Sequence, residues 1–447
     1  MGNTVLLLTM MIFLLFQESS IIYFSTHTIS PMHEMVPMSD DDEPLPGESD
    51  KVDLMSQNGD SNDYLMAQSR RRVMLSSFIT IVITIAFTIE VFTTPNSNSN
   101  SNSPSTSTTL DPKLILPASS TTLTRIAFGS CSDQTRPLPY FDTIHSFAPN
   151  LFLLLGDNVY GDCTSLDCVE LVTAYKDLSE HPSFQGFDLP IIAAIDDHDA
   201  GIQDADKNNP YLEKSEQLFL DFWVPDGEDP RRFRPGLYTS HTFGEDGNRV
   251  KVIVLDNRTF KDEFLITDQW GAPGKERYIV DYDSSKSMLG AAQWAWLTKE
   301  LDDESIDLQI VMSSLQVLNS NTGFEAWRLF DHERTRLTSL LKMSGIPSLI
   351  VSGDRHVGGV YKDENLLEVT SSSFTHTEPL GAFGVTSDEI DESRITPLVR
   401  SNNFGAIEID WAENMVHVDL RLADNEGNLL ETVAGQRLTP TFNISLN

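Results

Sequence analysis

From about residue 111 onward, the sequence predicts a layered α/β domain, and two observations carry this prediction. Short runs rich in Val, Ile and Leu alternate with segments of helical periodicity. Several of these apolar runs also end directly in groups of polar side chains, as strands of open α/β sheets do where they meet a site. The chain has 447 residues, 40% of them hydrophobic, which is enough for a large core.

The individual elements follow from this patterning. The predicted strands are runs of β-branched and other apolar residues: Arg125–Gly129, Leu151–Leu155, Pro190–Ile195, Val250–Leu255, Leu308–Ser313 and Ser348–Ser352. The predicted helices are longer segments with apolar residues at helical spacing: Tyr211–Phe222, Ala291–Leu301 and Phe324–Lys342. Near the end of the chain, Gly405–Asp410 and Val416–Leu420 alternate in polarity and are predicted to pair as neighbouring strands.

Before this domain, residues 73–92 are predicted to be a transmembrane helix, with a buried core helix as the alternative. The run is long enough to span a bilayer core, and it follows three arginines at 70–72. Because positive residues stay on the cytoplasmic side, the chain beyond the span should emerge in a lumen or outside the cell. We therefore predict a membrane protein whose folded domain, residues 111–447, is extracellular or lumenal.

The rest of the N-terminal region is predicted to lack a packed core. Within the tail at 1–72, residues 5–24 are apolar but lack a basic start and a cleavage site. A second span, a weak signal and a misassigned start of translation therefore stay open for that segment. Residues 39–63 are acidic and predicted to be disordered, and residues 93–110 form a Ser/Asn/Thr-rich stalk.

The chain is strongly acidic, with a net charge of -35 and a pI near 4.4. Nucleic-acid binding needs a basic face, so we expect no nucleic-acid-binding surface. A well-solvated surface is the simplest explanation of the bulk charge. Because an acidic surface repels anions, an anionic substrate would have to be attracted locally, by positive charge at its binding site. The sequence indicates no oligomeric state.

The three cysteines fall into two groups. Cys163 and Cys168 lie in one short loop, where a disulfide is feasible and an oxidising compartment would favour it, with two reduced thiols as the alternative. Cys131 is then left without a cysteine partner. It is either a small buried apolar side chain or a thiolate that a metal ion holds deprotonated.

Four of the predicted strands end in clusters of potential ligands. The residues that follow them are Ser130–Asp133, Gly156–Tyr160, Asp196–Asp199 and Gly353–His356. One such cluster alone is commonly a turn or a helix cap. Because sites in open α/β sheets form beyond the carboxyl ends of strands, four clusters in one domain are predicted to converge.

These residue types suit the hydrolysis of phosphoric esters by two adjacent metal ions, with Asp157 as the bridging ligand. The other predicted ligands are thiolate, phenolate, imidazole and carboxylate donors: Cys131, Tyr160, Asp197, Asp354 and His356. The thiolate, phenolate and imidazole together suit iron. The two remaining carboxylates supply hard oxygen ligands for a calcium-like or other divalent ion.

Three further residues are predicted to act on the substrate. His198 lies among carboxylates, which favour an imidazolium that can donate a proton to the leaving oxygen; a structural histidine is the alternative. Arg258 follows a predicted strand and is expected to bind phosphate and assist catalysis, unless it pairs with Asp256 or another neighbour. Asn158, next to Asp157, is predicted to contact the substrate.

Together these pieces resemble the PhoD-like metallophosphatases, also called the alkaline phosphatase D family. The resemblance runs from about Leu123 to Asn447. It rests on the motifs FGSCSD, LGDNVYGD, DDHDAGIQDADKN, VIVLDNRTF, LGAAQWAWLTKEL, SSLQVL, FEAWRLF, VSGDRHVGGVY and EVTSSSFTHT, in that order. It implies a calcineurin-like metallophosphoesterase fold, with two packed β-sheets flanked by helices in an αββα sandwich.

The resemblance also implies cofactors and roles. Fe3+ and Ca2+ are the expected ions, and Zn, Mn or Mg are other divalent candidates. The family's iron ligands fall on Cys131 and Tyr160, and its bridging carboxylate falls on Asp157. Its DDH motif falls on Asp197 and His198, and its SGDxH motif falls on Asp354 and His356. In the wider metallophosphatase pattern, Asn is usual at the position of Asp197.

The sequence therefore predicts a metal-dependent phosphoesterase that hydrolyses phosphodiesters and phosphomonoesters by a metal-bound hydroxide on the exoplasmic side of a membrane. One alternative is a membrane-tethered binding protein on a degenerate phosphatase fold, against which the intact ligand set argues. The other is a lipid-directed phosphodiesterase, which the sequence does not distinguish from the first prediction.

Overall fold

The computed structural model describes residues 111–378, 389–424, 426–430 and 442–446. The predicted anchor at 73–92, the apolar segment at 5–24 and the stalk at 93–110 lie outside the described residues. Within the described ranges, no helix is both long enough and apolar enough to cross a membrane.

The strands and helices of these ranges are numbered in chain order. The strands are β1 (Arg125–Gly129), β2 (Leu151–Leu154), β3 (Ile191–Ala193), β4 (Thr239–Phe243), β5 (Val250–Val254), β6 (Leu265–Ile266), β7 (Tyr278–Ile279), β8 (Leu308–Ser313), β9 (Ser348–Ser352), β10 (Gly358–Asp363), β11 (Leu366–Ser371), β12 (Asn403–Asp410), β13 (Met415–Leu422) and β14 (Phe442–Ser445). The α-helices are α1 (Tyr140–Phe147), α2 (Val169–Glu180), α3 (Pro182–Gln185), α4 (Leu212–Trp223), α5 (Gly290–Glu300) and α6 (Asp331–Met343). Short 3-10 helices lie at Pro112–Leu114, Pro230–Phe233 and Trp327–Phe330.

Two six-stranded sheets form the centre of the domain. The first has the order β14-β13-β12-β1-β2-β3, and the second has the order β10-β11-β9-β8-β5-β4. Strands β1, β2 and β3 run parallel, as do β5, β8, β9 and β11. The remaining pairs in both sheets are antiparallel, including the predicted pair β12 and β13. Strands β6 and β7 form a separate small hairpin.

Alternation along the strands explains the layering, because successive side chains point to opposite faces of a sheet. In β1, Ile126 and Phe128 enter the core between the two sheets, whereas Ala127 faces the core under α1, α2 and α4. In β8, Ile310 lies between the sheets and Val311 faces the core under α5 and α6. The result is helices, sheet, sheet and helices, which confirms the predicted αββα sandwich.

All of the predicted strands exist, with bounds within two residues of the prediction. The predicted helix Phe324–Lys342 was wrong in its first part, because α6 begins at Asp331 and a 3-10 helix precedes it. Ala326 is extended there, and the Trp327 indole donates a hydrogen bond to Ser313 Oγ. The Trp327 ring is buried (0% exposed) against the end of β8. This packing is favoured over a helix that continues through these residues.

Candidate metal centre

The polar segments after β1, β2, β3 and β9 meet at one edge of the two sheets, as predicted. Two glycines permit this approach. A Cβ on Gly156, which has φ +108°, would lie 2.4 Å from Asp196 Cβ. A Cβ on Gly353 would lie 2.5 Å from Ser130 Oγ. Gly156 therefore brings the ends of β2 and β3 together, and Gly353 brings β9 of the second sheet against β1 of the first.

The first group of ligand atoms surrounds one carboxylate oxygen, Oδ2 of Asp157. Cys131 Sγ lies 3.6 Å from this oxygen, and the Tyr160 hydroxyl lies 3.0 Å from it. The same hydroxyl is 3.2 Å from His356 Nε2. The sulfur, one carboxylate oxygen and one imidazole nitrogen of this group all lie within 4.8 Å of one another. Four donors of the predicted iron site therefore face one point.

The second group consists of carboxylates on the other side of Asp157. Asp196, Asp197 and Asp354 offer oxygens within 4.8 Å of one another, and Asp157 and Asp197 form a further such group with His198. Asp197 is fixed by the backbone N–H of Asp204, which donates to its Oδ2 at 2.7 Å. This set supplies the hard oxygen donors that a divalent cation prefers.

The backbone at the candidate ligands is unusual. Cys131, Asp157, Asp354 and His356 have φ values of 64°, 48°, 67° and 52°. Non-glycine residues seldom adopt this left-handed conformation, and each instance costs roughly 1–3 kcal/mol, so such residues concentrate at functional sites. Here the strained residues follow strands of both sheets and supply ligand atoms to both groups.

The electrostatics of the centre fit bound cations. Burial and the nearby Asp197 carboxylate raise the pKa of Asp157 well above its ordinary value. Burial and Asp196 do the same to the pKa of Asp354. Burial also raises the pKa of the Cys131 thiol to about 12. Several acidic groups thus lie together without enough positive charge, an arrangement that a metal ion would compensate while holding the thiol deprotonated.

The two histidines of the centre differ. Burial and the neighbouring His376 lower the pKa of His356 to about 3, which leaves a neutral imidazole suited to bind a metal. Burial opposes the charged form of His198, but Asp197 and Asp157 raise its pKa to about 11. The His198 ring packs on Tyr160, with 4.2 Å between centroids, and Nδ1 lies 2.7 Å from Asp162 Oδ1.

Comparisons with known proteins agree with this architecture. A sequence profile described as PhoD-like phosphatase matches residues 223–420. The family acts on phosphoric ester bonds and depends on metal, so the chain is a metal-dependent hydrolase of such bonds. The residue groups described above could hold a metal ion.

Structural similarity extends the PhoD-like assignment of the fold beyond the matched segment. A solved structure described as PhoD superposes with a TM-score of 0.54 at 14% identity, covering 74% of this chain and 72% of that one. GAP50, described as the anchor in the inner membrane complex of Plasmodium, gives 0.46 at 12% identity, with coverage of 73% and 90%. A 5'-nucleotidase from Candida albicans gives 0.34 at 10%, with coverage of 72% and 51%. The last two similarities are too low to inform on function, and no curated protein matches the sequence significantly.

Arg258, predicted to bind phosphate, lies instead in the core of the PhoD-like domain with 0% exposure. Its guanidinium lies 2.6 Å from Asp196 Oδ1 and 2.6 Å from Glu325 Oε2. It therefore has no surface to offer to a substrate. This corrects the prediction of a catalytic and substrate-binding role and matches the alternative of a salt bridge to neighbouring residues.

Asn158 also differs from its predicted role in substrate binding. It is 1% exposed, and its Nδ2 donates to the carbonyl of Ala194 at 2.8 Å and to Asp199 Oδ1 at 3.1 Å. Its backbone N–H also faces Asp199. The side chain therefore joins the loops after β2 and β3 rather than facing the substrate.

Two residues after β11 belong to the centre and were missed. Ser372 Oγ lies 3.3 Å from Cys131 Sγ and accepts the backbone N–H of His356 at 2.7 Å. His376 packs against His356 with 4.2 Å between ring centroids. The segment Ser371–Thr377 contains polar side chains after an apolar strand, which is the same signal that identified the other four clusters.

The disulfide prediction is confirmed, because the structure joins Cys163 and Cys168, with their Cα atoms 4.6 Å apart. Cys131 is the free cysteine and is buried. The closed loop begins directly after Asp162, the residue that contacts His198.

Proposed function

We propose that this chain is a two-metal phosphoesterase whose ions are Fe3+ and a divalent cation such as Ca2+. The observation that carries the proposal is the convergence of all six predicted ligands at one edge of the two sheets. Cys131, Tyr160 and His356 would hold the iron. Asp197 and Asp354 would hold the divalent ion, and Asp157 would bridge the two.

When bound, the ions would neutralise the phosphoryl oxygens and supply an activated hydroxide. The protein's own residues then have separate tasks. The carboxylates would hold the ions and offset their charge, together with Cys131, which a bound ion would keep deprotonated. His198 has Nδ1 engaged by Asp162, which leaves Nε2 to give a proton to the leaving oxygen of a phosphomonoester or phosphodiester.

Activity of the full-length protein purified in detergent tests this proposal. We expect bound iron plus a divalent ion, and hydrolysis of bis(4-nitrophenyl) phosphate and 4-nitrophenyl phosphate. His356→Ala should lose iron and at least about 100-fold in kcat/KM. His145→Ala is the matched control, since this ring is half-exposed on α1, away from the centre, where it contacts Asp188 and the edge of Phe187. A folded protein that binds no metal and cleaves neither ester would instead favour a tethered binding protein.

We also propose that the domain lies on the exoplasmic side of a membrane, anchored through residues 73–92. The three arginines at 70–72, directly before the predicted span, support this topology because positive residues stay on the cytoplasmic side. The Cys163–Cys168 disulfide supports it independently, because disulfides persist in oxidising compartments.

The glycosylation sequon at Asn443 offers a test of the topology. Asn443 is exposed on β14, whereas the other sequon asparagine, Asn257, is 0% exposed. We expect a glycosidase to shift the mass of the wild-type protein expressed in a eukaryotic cell, and to leave Asn443→Gln unshifted. An unglycosylated protein whose Cys163 and Cys168 both react with a thiol reagent in intact cells would contradict the proposed side.

A further inference from the structure

One buried hydroxyl contacts two predicted iron ligands that belong to different sheets. Ser372 Oγ accepts a hydrogen bond from the backbone N–H of His356 at 2.7 Å and lies 3.3 Å from Cys131 Sγ. Ser372 and Cys131 are both 0% exposed, so solvent does not compete for this contact. Cys131 follows β1 of the first sheet and His356 follows β9 of the second. The hydroxyl therefore connects the two sides of the predicted iron site.

The hydrogen of this hydroxyl has one direction available once a metal ion is bound. The His356 N–H is a donor, so it uses a lone pair of the Ser372 oxygen and leaves the hydroxyl hydrogen free. A metal-bound Cys131 is a thiolate, which accepts hydrogen bonds and has no hydrogen to donate. Within the part of the chain that the structure describes, the Cys131 sulfur is the acceptor that this hydroxyl reaches. The O–H group then points at the sulfur.

The main chain holds Ser372 at this distance from the sulfur. Phe374 donates its backbone N–H to the carbonyl of Ser130 at 3.1 Å. Thr375 donates its backbone N–H to the carbonyl of Cys131 at 3.3 Å, and its hydroxyl to the same carbonyl at 3.0 Å. The segment after β11 is thus hydrogen-bonded to the segment after β1 on both sides of the metal-facing side chains, which fixes the geometry of the contact.

We propose that Ser372 is a positioning residue of the iron site, and that its hydrogen bond to Cys131 sets how strongly the sulfur donates electrons to the ion. A hydrogen bond onto a thiolate ligand withdraws electron density from the sulfur, which makes the oxidised metal easier to reduce. Ser372 itself need not bind metal or substrate. The inference rests on the proposed function, because it takes Cys131 to be a ligand of ferric iron.

Ser130 is the other hydroxyl near this sulfur. Its Oγ lies 3.5 Å from Cys131 Sγ and 3.4 Å from the carbonyl of Ser371. A carbonyl oxygen is a better acceptor than sulfur, so the Ser130 hydrogen has an alternative to the Cys131 contact. The shorter distance of Ser372 and the use of its lone pair by the His356 N–H favour Ser372 as the donor.

Absorption spectra and redox titration of the iron-loaded, full-length protein in detergent test this role. For Ser372→Ala we expect the thiolate-to-iron charge-transfer band to move to longer wavelength and the reduction potential to fall. At the midpoint potential of the wild type, the ratio of ferrous to ferric iron should decrease about 2- to 10-fold, which corresponds to the loss of one ordinary hydrogen bond. Iron content and Tm are measured beside each spectrum.

Ser373→Ala is the matched control for Ser372→Ala. It makes the same substitution at the next residue, whose buried Oγ has no hydrogen-bond partner among the described residues. Its charge-transfer band and reduction potential should equal those of the wild type. A hydroxyl with only a packing role would leave both readouts unchanged at position 372 as well.

Deuterium exchange gives a second measurement, which the wild-type protein alone can supply. A hydrogen bond to sulfur makes the iron–sulfur stretching frequency sensitive to the mass of the bound hydrogen. The resonance Raman band of the wild type should therefore shift in D2O. The shift should persist in Ser130→Ala and be absent from Ser372→Ala.

The outcomes separate the two proposals. A wild-type protein that binds no iron overturns the proposed function, and this inference with it. An iron-loaded protein whose band and potential are the same in Ser372→Ala as in the wild type overturns the role of Ser372 alone. If Ser372→Ala binds no iron, the deuterium effect decides. A wild-type frequency unchanged in D2O overturns the hydrogen bond, and a shift that Ser130→Ala retains supports it.

Discussion

Arg258 Nη1 lies 2.6 Å from Glu325 Oε2, and both side chains are buried below the candidate metal centre. Glu325 is shared, because Lys261 Nζ lies 2.9 Å from its other oxygen. The same guanidinium contacts Asp196 and lies 3.6 Å from Asp354 Oδ1. A buried charge network therefore connects the core of the second sheet to a candidate metal ligand.

Removal of the positive charge from this network should unfold the domain more easily. Arg258→Met leaves the buried Asp196 carboxylate without its guanidinium partner and leaves Glu325 with Lys261 alone, for which we expect a loss of about 3–5 kcal/mol in unfolding free energy. Arg334→Met breaks a partly exposed pair with Asp331 and should cost no more than about 1 kcal/mol. Urea unfolding measures both, and equal losses would contradict the role assigned to the network.

Glycine at position 156 should be indispensable to the centre. Gly156→Ala places a Cβ 2.4 Å from Asp196 Cβ at a φ of +108°, so the ends of β2 and β3 must separate. We expect a loss of about 2–4 kcal/mol in stability and of most metal affinity. Gly227→Ala meets no atom within 4 Å and should be nearly neutral. Calorimetry and metal titration of the two variants would show whether the close approach matters.

A pH-dependent contribution to stability is expected from Glu216. Burial and Asp256 raise its pKa from 4.5 to about 7. Because the folded pKa exceeds the unfolded value, the favourable contribution is complete below pH 4.5 and is lost as pH rises through about 7. Glu216→Gln removes this dependence, so the stability of the variant relative to wild type should rise by about 1–3 kcal/mol from pH 4.5 to 8.

The measurement for Glu216 is urea unfolding at several pH values. Glu213→Gln, an exposed position on the same helix, is the control and should follow the wild-type curve. If the unfolding free energies of wild type and Glu216→Gln depended on pH in the same way, burial would not hinder ionisation of the Glu216 carboxyl, and the prediction would be wrong.

Metal removal should lower thermal stability. Ions that bind only the folded state stabilise it by mass action, so a chelator is expected to reduce the Tm by roughly 5–10 °C. Asp157→Asn removes the predicted bridge, and its Tm should hardly respond to the chelator. Differential scanning calorimetry with and without chelator gives both numbers, and an unchanged wild-type Tm would argue that no metal contributes to folding.

Much of the fold was predictable, because its central strands are uniformly apolar and end in polar clusters. The strand Leu308–Ser313 is an example, since all six of its residues are buried. The polar clusters at the strand ends also identified the candidate ligands, because thiolate, phenolate, imidazole and carboxylate groups are the ones that bind metal ions. The short strand Thr239–Phe243 was missed because its first four residues are only partly buried and polar.

Side-chain direction was the part that sequence could not supply. Arg258 has the charge and the strand-end position of a phosphate ligand, yet its partners Asp196 and Glu325 are 62 and 67 residues away in sequence. Asp162 escaped notice for the opposite reason: its pairing with His198 spans 36 residues and depends on the fold of a loop. Neither arrangement leaves a local pattern.

The candidate ligands come from both sheets: Cys131, Asp157 and Asp197 follow strands of the first, and Asp354 and His356 follow β9 of the second. Ions bound between them would act as a crosslink across the core that separates the sheets. Amide protons far from the centre, in β1 and β9 alike, should then exchange more slowly with solvent when metal is present. Metal supply during synthesis would accordingly influence how long each newly made molecule survives proteolysis, quite apart from whether it can turn over an ester.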